Sequence, residues 1–64
     1  MVKVNGALLP IEGKTLAEYL ETTTYDSTKI AVECNGTIIT KSSYDQTILK
    51  DGDTLEVVRF VGGG

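Results

Sequence analysis

The chain has 64 residues, a net charge of −3 and an apolar content of 41%. This length and apolar content are typical of one small domain, whose buried surface is limited and whose stability is therefore low. A chain of this size has no room for both a core and a deep substrate cleft, which favours a carrier, a binding module or a subunit over an enzyme. Its six basic residues are scattered singly along the sequence, which disfavours binding to nucleic acid or to an anionic membrane.

The N-terminal segment is predicted to form a β-hairpin. Residues 1–5 alternate apolar and polar side chains, a pattern typical of a strand. Asn5-Gly6 predicts a type I′ turn, because both residue types accept a positive φ. Residues 7–12 are predicted to form the second strand, and Pro10 within it lacks an N–H group, so we expect this strand at an edge of the sheet.

A short helix is predicted over residues 16–22. Thr15 and Glu18 fit a capping box, in which the threonine hydroxyl accepts from the Glu18 amide and the glutamate reaches back. Leu16 and Leu20 lie on one face of this helix. The three threonines at 22–24 form helices poorly, so the helix should end there.

A second hairpin is predicted after a loop at residues 25–29. Residues 30–34 form its first strand, with Ile30, Val32 and Cys34 on one face, and residues 37–40 form its second. Asn35-Gly36 between them is a second hairpin turn.

Residues 41–50 are predicted to be irregular, with one helical turn near residues 43–46. A tight turn at 51–53 then leads into the last strand, residues 54–61.

This order, β-β-α-β-β-β, indicates an α+β fold in which a mixed sheet of four to five strands packs on one main helix. The β-grasp, or ubiquitin-like, fold has this order and pairs its first and last strands in parallel at the centre. We expect a β-grasp domain over residues 1–61 and a flexible glycine tail over residues 62–64.

The last strand carries apolar residues on both faces. Leu55 and Val57 fall on one face, and Val58 and Phe60 fall on the other. A central strand covered on both sides would explain this pattern. One helix covers only one face of a sheet, however, which favours an exposed apolar patch that binds a partner.

The glycines at 62–64 contribute no side chain to a core. A frayed end or an expression remnant would explain them. The chemical interpretation is that a chain without Cβ atoms threads a narrow channel and places the Gly64 carboxylate in another protein's active site. Activation of that carboxylate by ATP would give an acyl-adenylate open to attack by a nucleophile.

Other reactive groups are sparse. The chain has no histidine and one cysteine, Cys34, which we interpret as a structural thiol because no base of the Cys-His type is available. This composition excludes a structural zinc site. Asp51 and Asp53 flank Gly52 and fit a turn better than a catalytic carboxylate pair. We therefore predict no catalytic residue and no metal site.

The sequence resembles the ThiS family, the sulfur carriers of thiamine biosynthesis. The resemblance spans the whole chain and depends most on AVECNGTII at 31–39 and on LKDGDTLEVVRFVGGG at 49–64. The ending VGGG, after a DGD turn and a strand, is its most specific element. Tyr44 stands near a position where the family commonly has tryptophan, a departure that does not touch the tail.

The resemblance implies a protein substrate rather than an enzyme. A ThiF-type adenylyltransferase would adenylate Gly64 with ATP and Mg²⁺, and the chain itself would bind no cofactor. Sulfur from a cysteine desulfurase or a sulfurtransferase would then give a thiocarboxylate, which a ThiG-type thiazole synthase would use. Gly62 and Gly63 would lead into both partner sites, and the docking surface would be formed by Val58, Phe60 and Val61.

Three alternatives remain open at this stage. Small subunits of molybdopterin synthase share the fold and a Gly-Gly ending, a tRNA-thiolation or protein-modifier role would use the same tail chemistry, and a ubiquitin-like interaction module would have an inert tail. A single cysteine, the lack of an apolar run of about 20 residues and the broken apolar pattern of MVKVNGALLP lead us to expect a cytoplasmic protein.

Overall fold

The computed structural model describes residues 1–60. It contains one five-stranded mixed sheet, one α-helix and two short 3-10 turns. The elements are β1 (Val2–Val4), β2 (Ala7–Leu9), α1 (Leu16–Glu21), a 3-10 turn (Ser27–Lys29), β3 (Ile30–Cys34), β4 (Thr37–Ile39), a second 3-10 turn (Lys41–Ser43) and β5 (Thr54–Arg59). The predicted domain boundary at residue 61 and the predicted tail lie outside the described residues.

The first and last strands meet at the centre of the sheet, whose order is β2-β1-β5-β3-β4. β1 runs parallel to β5, with Lys3 opposite Thr54, and β3 runs antiparallel to β5 on its other side. β2 and β4 form the two edges. The predicted β-grasp architecture is therefore confirmed, as is the edge position of the proline-bearing segment.

Asparagines in the two hairpin turns also bind the central strand. Asn5 and Asn35 have φ values of 49° and 52°, which confirms both predicted turns. The Asn5 side chain accepts from the Val57 amide at 2.8 Å and donates to the Val57 carbonyl at 3.2 Å. The Asn35 side chain accepts from the Thr54 amide at 3.0 Å on the other side of the strand. In each turn the asparagine side chain thus hydrogen-bonds to β5 beyond the end of the strand that pairs with it.

Replacing Asn5 is expected to destabilise the domain because it leaves two part-buried backbone groups of Val57 unpaired. We expect Asn5→Gly, which keeps the positive φ accessible, to lower the free energy of unfolding by about 1–3 kcal/mol. Asn5→Ala should cost about 1 kcal/mol more, since alanine is strained in the left-handed region. Urea unfolding of both variants measures the difference, and a glycine variant as stable as the wild type would contradict this role of the side chain.

Helix α1 starts and ends where side chains satisfy its free backbone groups. The predicted capping box at its start is present: the Glu18 amide donates to the Thr15 hydroxyl at 3.1 Å, and the Thr15 amide donates to the Glu18 carboxylate at 2.8 Å. At its end, the hydroxyls of Thr22 and Thr23 donate to the carbonyls of the last turn at 2.6 and 2.7 Å. The helix therefore ends at Glu21, one residue before the predicted limit.

The segment before β5 packs beneath the start of the helix. The amides of Leu16 and Ala17 donate to the carbonyls of Thr47 and Tyr44, at 2.8 and 2.9 Å. These are donors that a helix cannot satisfy internally. Leu49 follows in the same segment and is fully buried. The irregular segment thus holds the helix against the sheet.

One face of the sheet and one face of the helix enclose the core. Its buried members come from every strand except the two edge strands, from the helix and from the connecting segments: Val2, Val4, Ile11, Leu16, Tyr19, Leu20, Ile30, Val32, Tyr44, Leu49, Leu55 and Val57. Tyr44, the departure from the family pattern, is buried in this core. Cys34 packs against it from a half-buried position on the face predicted for it.

Several predicted limits were wrong in detail, among them that of β4, which ends at Ile39 and not at residue 40. β2 ends at Leu9, so Pro10 lies just after the strand instead of within it, where its missing N–H costs no ladder hydrogen bond. The helical turn predicted near residues 43–46 begins two residues earlier, with the 3-10 turn Lys41–Ser43, and the Gln46 amide then donates to the Ser43 carbonyl at 3.0 Å. β5 ends at Arg59 and not at residue 61.

The turn before β5 is held by a carboxylate. Asp53 accepts from the Lys50 amide at 2.9 Å and from the Asn35 side chain at 3.1 Å. The hydrogen bond from the Lys50 amide, with that from Asn35, holds the pKa of Asp53 below its usual value. Gly52 at the top of the turn has a φ of 90°, which glycine adopts without strain.

This lowered pKa predicts an acid-sensitive contribution to stability. A carboxyl with a depressed pKa in the folded state stabilises the fold above its unfolded pKa of about 3.9, and this contribution is lost as the pH falls through the folded value. Asp53→Asn should therefore destabilise the domain at neutral pH and flatten the loss of stability in acid. Unfolding free energies measured across this range test the effect, with Asp45→Asn as a control of equal charge change; parallel curves for the wild type and Asp53→Asn would contradict it.

No helix within residues 1–60 is long enough and apolar enough to span a bilayer.

Candidate functional site

The end of β5 carries the features that the sequence associated with function. Along this strand Leu55 and Val57 point into the core, with exposed fractions of 0% and 7%. Val58 and Phe60 lie on the outer face and are 53% and 58% exposed. The predicted apolar exposure of these two residues is confirmed, and the covered-strand explanation is wrong because the single helix occupies only the inner face.

The outer face around this end of β5 is only partly apolar. Val58 lies opposite Ala31 of β3, and Glu56 lies opposite Glu33. The other exposed apolar residues of this face, Leu8 and Ile38, are on the edge strands β2 and β4. The apolar surface formed by Val58 and Phe60 is therefore local to the end of the central strand.

Backbone pairing continues one residue past the strand. The Phe60 amide donates to the Lys29 carbonyl at 2.9 Å, so the position of Phe60 is fixed by the sheet. Val61 and the glycines Gly62, Gly63 and Gly64 lie outside the described residues, and their predicted roles stay predictions. The described part of the site is the ordered surface from which those residues continue.

A shallow cavity of about 260 Å³ adjoins Phe60. It is lined by Thr24, Asp26, Lys29, Ile30, Arg59 and Phe60. The Arg59 guanidinium carbon lies 5.0 Å from the centre of the Tyr25 ring, in a cation–π contact. This grouping was not predicted from the sequence, because Lys29 and Arg59 are far apart in the chain. Only the antiparallel register of β3 and β5, which places Ile30 opposite Arg59, brings them together.

The contacts of the remaining candidate groups, Cys34, Asp51 and Asp53, indicate roles in the fold and not in chemistry. Burial, together with the nearby carboxylate of Asp53, raises the pKa of the Cys34 thiol, which makes it a poor nucleophile. Asp51 forms an ion pair with the Met1 ammonium group, and Asp53 caps the turn, so the two carboxylates do not form one site. Within residues 1–60, no three Cys, Asp or Glu side chains are grouped as metal ligands would be.

Comparison with known proteins agrees with this structure. A sequence profile of the ThiS family matches residues 2–64, a range that includes the glycine ending. The chain belongs to the ThiS family. The sulfur carrier protein ThiS of Thermus thermophilus is 39% identical over 64 residues, which is the whole of both chains. The crystal structure of the thiamine biosynthesis protein ThiS from Geobacter metallireducens is 31% identical, covers 98% of this chain and 97% of its own, and superposes with a TM-score of 0.79.

A longer relative contains a similar segment. A thiazole synthase of Paramagnetospirillum magneticum is 59% identical over 39 residues, which are 61% of this chain but only 12% of that protein. Taken together, these matches confirm the predicted ThiS family, whose Thermus thermophilus member is a sulfur carrier protein.

Proposed function

We propose that this ThiS-family chain carries sulfur as a thiocarboxylate on Gly64. The observation that supports this most directly is that the family match extends to the last glycine of the chain. The structure adds an ordered strand that ends at Arg59, with two exposed apolar residues beside the point where residues 61–64 follow. A carrier needs such a combination: a rigid body that partners bind and a terminal carboxylate that they modify.

The chemistry proceeds in two stages. The Gly64 carboxylate attacks the α-phosphorus of ATP and releases pyrophosphate, which leaves an acyl-adenylate. A persulfide sulfur then attacks the acyl carbon and releases AMP, and a second thiol cleaves the resulting acyl disulfide to free the thiocarboxylate. Glycine suits both attacks because it has no Cβ to crowd the acyl carbon, and Gly62 and Gly63 extend the same thin chain.

The partners supply every catalytic group in this scheme. We propose a ThiF-type adenylyltransferase that binds ATP and Mg²⁺, and a cysteine desulfurase or sulfurtransferase that supplies the persulfide. The acceptor is a ThiG-type thiazole synthase, a proposal supported by the ThiS-like segment within the Paramagnetospirillum magneticum thiazole synthase. A free half-buried thiol at Cys34 fits the reducing conditions of the cytoplasm, where we place this reaction.

Intact-mass measurement tests the proposal directly. The chain is co-expressed with the adenylyltransferase and a sulfur donor, and the C-terminal peptide is sequenced by mass spectrometry. We expect a mass gain equal to one oxygen replaced by sulfur, located at Gly64. An unchanged mass, with the same enzyme active on a known carrier, would indicate a module with an inert tail. A thiocarboxylate that thiazole synthase does not consume, but molybdopterin synthase or a tRNA-modifying enzyme does, would reassign the acceptor.

The docking surface that we propose consists of Val58, Phe60 and Val61. Phe60→Asp should raise the KM of the adenylyltransferase for the carrier about tenfold to a hundredfold, since truncated aromatic anchors commonly cost about 2 kcal/mol or more. Leu8→Asp is the matched control, because Leu8 is also exposed on the outer face but lies on the far edge strand. Equal KM values for the two variants would contradict a docking role for Phe60.

A further inference from the structure

Two cationic side chains flank the point where the described chain ends. Lys29 and Arg59 line the cavity beside Phe60, and both are exposed. Within residues 1–60 the ion pairs all involve the Met1 ammonium group, so neither cation is neutralised by an ion pair to a described side chain. We call Lys29 and Arg59 the cationic rim.

The Arg59 side chain is held against an aromatic ring. Its guanidinium carbon stands 5.0 Å from the centre of the Tyr25 ring, and Tyr25 is itself packed against the core. Stacking on an aromatic face leaves the N–H edge of the guanidinium available to a planar acceptor such as a carboxylate. Because the side chain is already ordered, less conformational entropy is lost when it binds.

Backbone contacts fix the position of Lys29, the second residue of the cationic rim. Lys29 ends the 3-10 turn Ser27–Lys29, and its carbonyl accepts from the Phe60 amide at 2.9 Å. The one carboxylate in the cavity, Asp26, accepts from the amide and the hydroxyl of Thr28 at 2.9 and 2.6 Å. Two cations against one carboxylate leave this cavity with a charge of +1, in a chain whose net charge is −3.

Outside this cavity the chain is acidic, with eight carboxylate side chains against four lysines. The start of β5 carries charges of both signs: Asp51 and Glu12 lie around the Met1 ammonium group, and Lys3 pairs with Thr54. The six residues of β5 span roughly 17 Å, about two Debye lengths at physiological ionic strength. A binding surface placed at the cationic rim therefore responds to its local positive charge more than to the charges at the start of β5.

We propose that the cationic rim binds carboxylate side chains at the mouth of the site in which the adenylating partner receives the tail. This inference rests on the proposed function. A negative partner surface is attracted by this end of the domain and repelled by the rest of it, so the charges orient the domain with its C-terminal end toward the partner.

The length of residues 61–64 indicates which group of the partner the cationic rim contacts. Residues 61–64 span at most about 14 Å when fully extended. In the proposed function, the partner's passage that receives them admits only a thin chain. Side chains on the folded body, such as Lys29 and Arg59, stay outside that passage. The ligand of the rim is thus a group on the partner's surface and not the phosphates of ATP.

The test compares charge reversal at the two ends of β5. The double variant Lys29→Glu and Arg59→Glu should raise the KM of the adenylyltransferase for the carrier about tenfold or more, with kcat unchanged and a weaker dependence of kcat/KM on salt. The control, Lys14→Glu and Lys50→Glu, makes the same change of charge away from the rim. Melting temperatures of both variants confirm that they are folded.

Arg59→Lys adds a second measurement. It keeps the charge and loses the planar fork, so it should raise KM by less than the double reversal does. A similar rise in KM for the rim and control variants would assign the effect to net charge and overturn the inference, as would no change in either. A wild-type chain that is never adenylated would instead overturn the proposed function, and this inference with it, before any variant is compared.

Discussion

Deletion of Gly63 and Gly64 is expected to abolish thiocarboxylate formation while leaving the fold intact. The deletion withdraws the terminal carboxylate by about 7 Å, whereas a misplacement of about 1 Å in a reacting group can cost a hundredfold in rate. The buried core and the described hydrogen bonds involve residues 1–60 alone, so the melting temperature should not change. Intact-mass measurement after incubation with the adenylyltransferase, ATP and a sulfur donor gives the result.

The truncated chain should also act as a competitive inhibitor of the full-length carrier. It keeps Val58, Phe60 and the cationic rim, and so it still occupies the docking site. An interaction module with an inert tail behaves differently, since the truncated form would keep all of its activity. Inhibition without modification therefore supports the carrier mechanism, and full activity after truncation would overturn it.

The substitution Leu55→Ala is expected to leave a large fraction of the molecules unfolded. Leu55 is fully buried in the central strand, between β1 and β3, and contributes one of the largest side chains in the core. Truncating a buried leucine costs about 2–5 kcal/mol through lost burial and the cavity left behind. A domain of this size has a total stability of about 3–10 kcal/mol. Circular dichroism during urea titration measures the loss.

Val58→Ala provides the control for that loss. Val58 is on the same strand but points to the outer face, where it is half exposed. Exposed substitutions away from special features usually change stability by about 0.5 kcal/mol or less. Equal destabilisation by the two variants would show that the strand contributes to stability through both faces, contrary to the packing described here.

Much of the fold was predictable because its signals are local. Asn-Gly pairs identified both hairpins, since few residue types accept the backbone angles of those turns. Thr15 and Glu18 located the start of the helix, because their side chains satisfy its free amides directly. Alternation along residues 54–60 identified the buried and exposed faces of β5. Because only one helix was predicted, the outer face of the sheet was expected to remain exposed.

The remaining features depend on contacts between distant segments. The helical turn predicted near residues 43–46 begins two residues early, at Lys41, in a segment whose position is set by hydrogen bonds to the start of α1. The grouping of Lys29, Tyr25 and Arg59 follows from strand register, which single residues do not reveal. For the site, the exposure of Val58 and Phe60 was predicted and the charge beside them was not.

The parallel pairing of β1 with β5 also constrains how the chain acquires its shape. Lys3 and Thr54 are paired neighbours in the sheet although nearly the whole domain separates them in sequence. Such contacts slow folding, because a long loop must close before the contact forms. During synthesis, the central pairing of the sheet cannot form until the strand leading to the tail has left the ribosome. A growing chain therefore cannot offer partners a finished docking surface before β5 has been made.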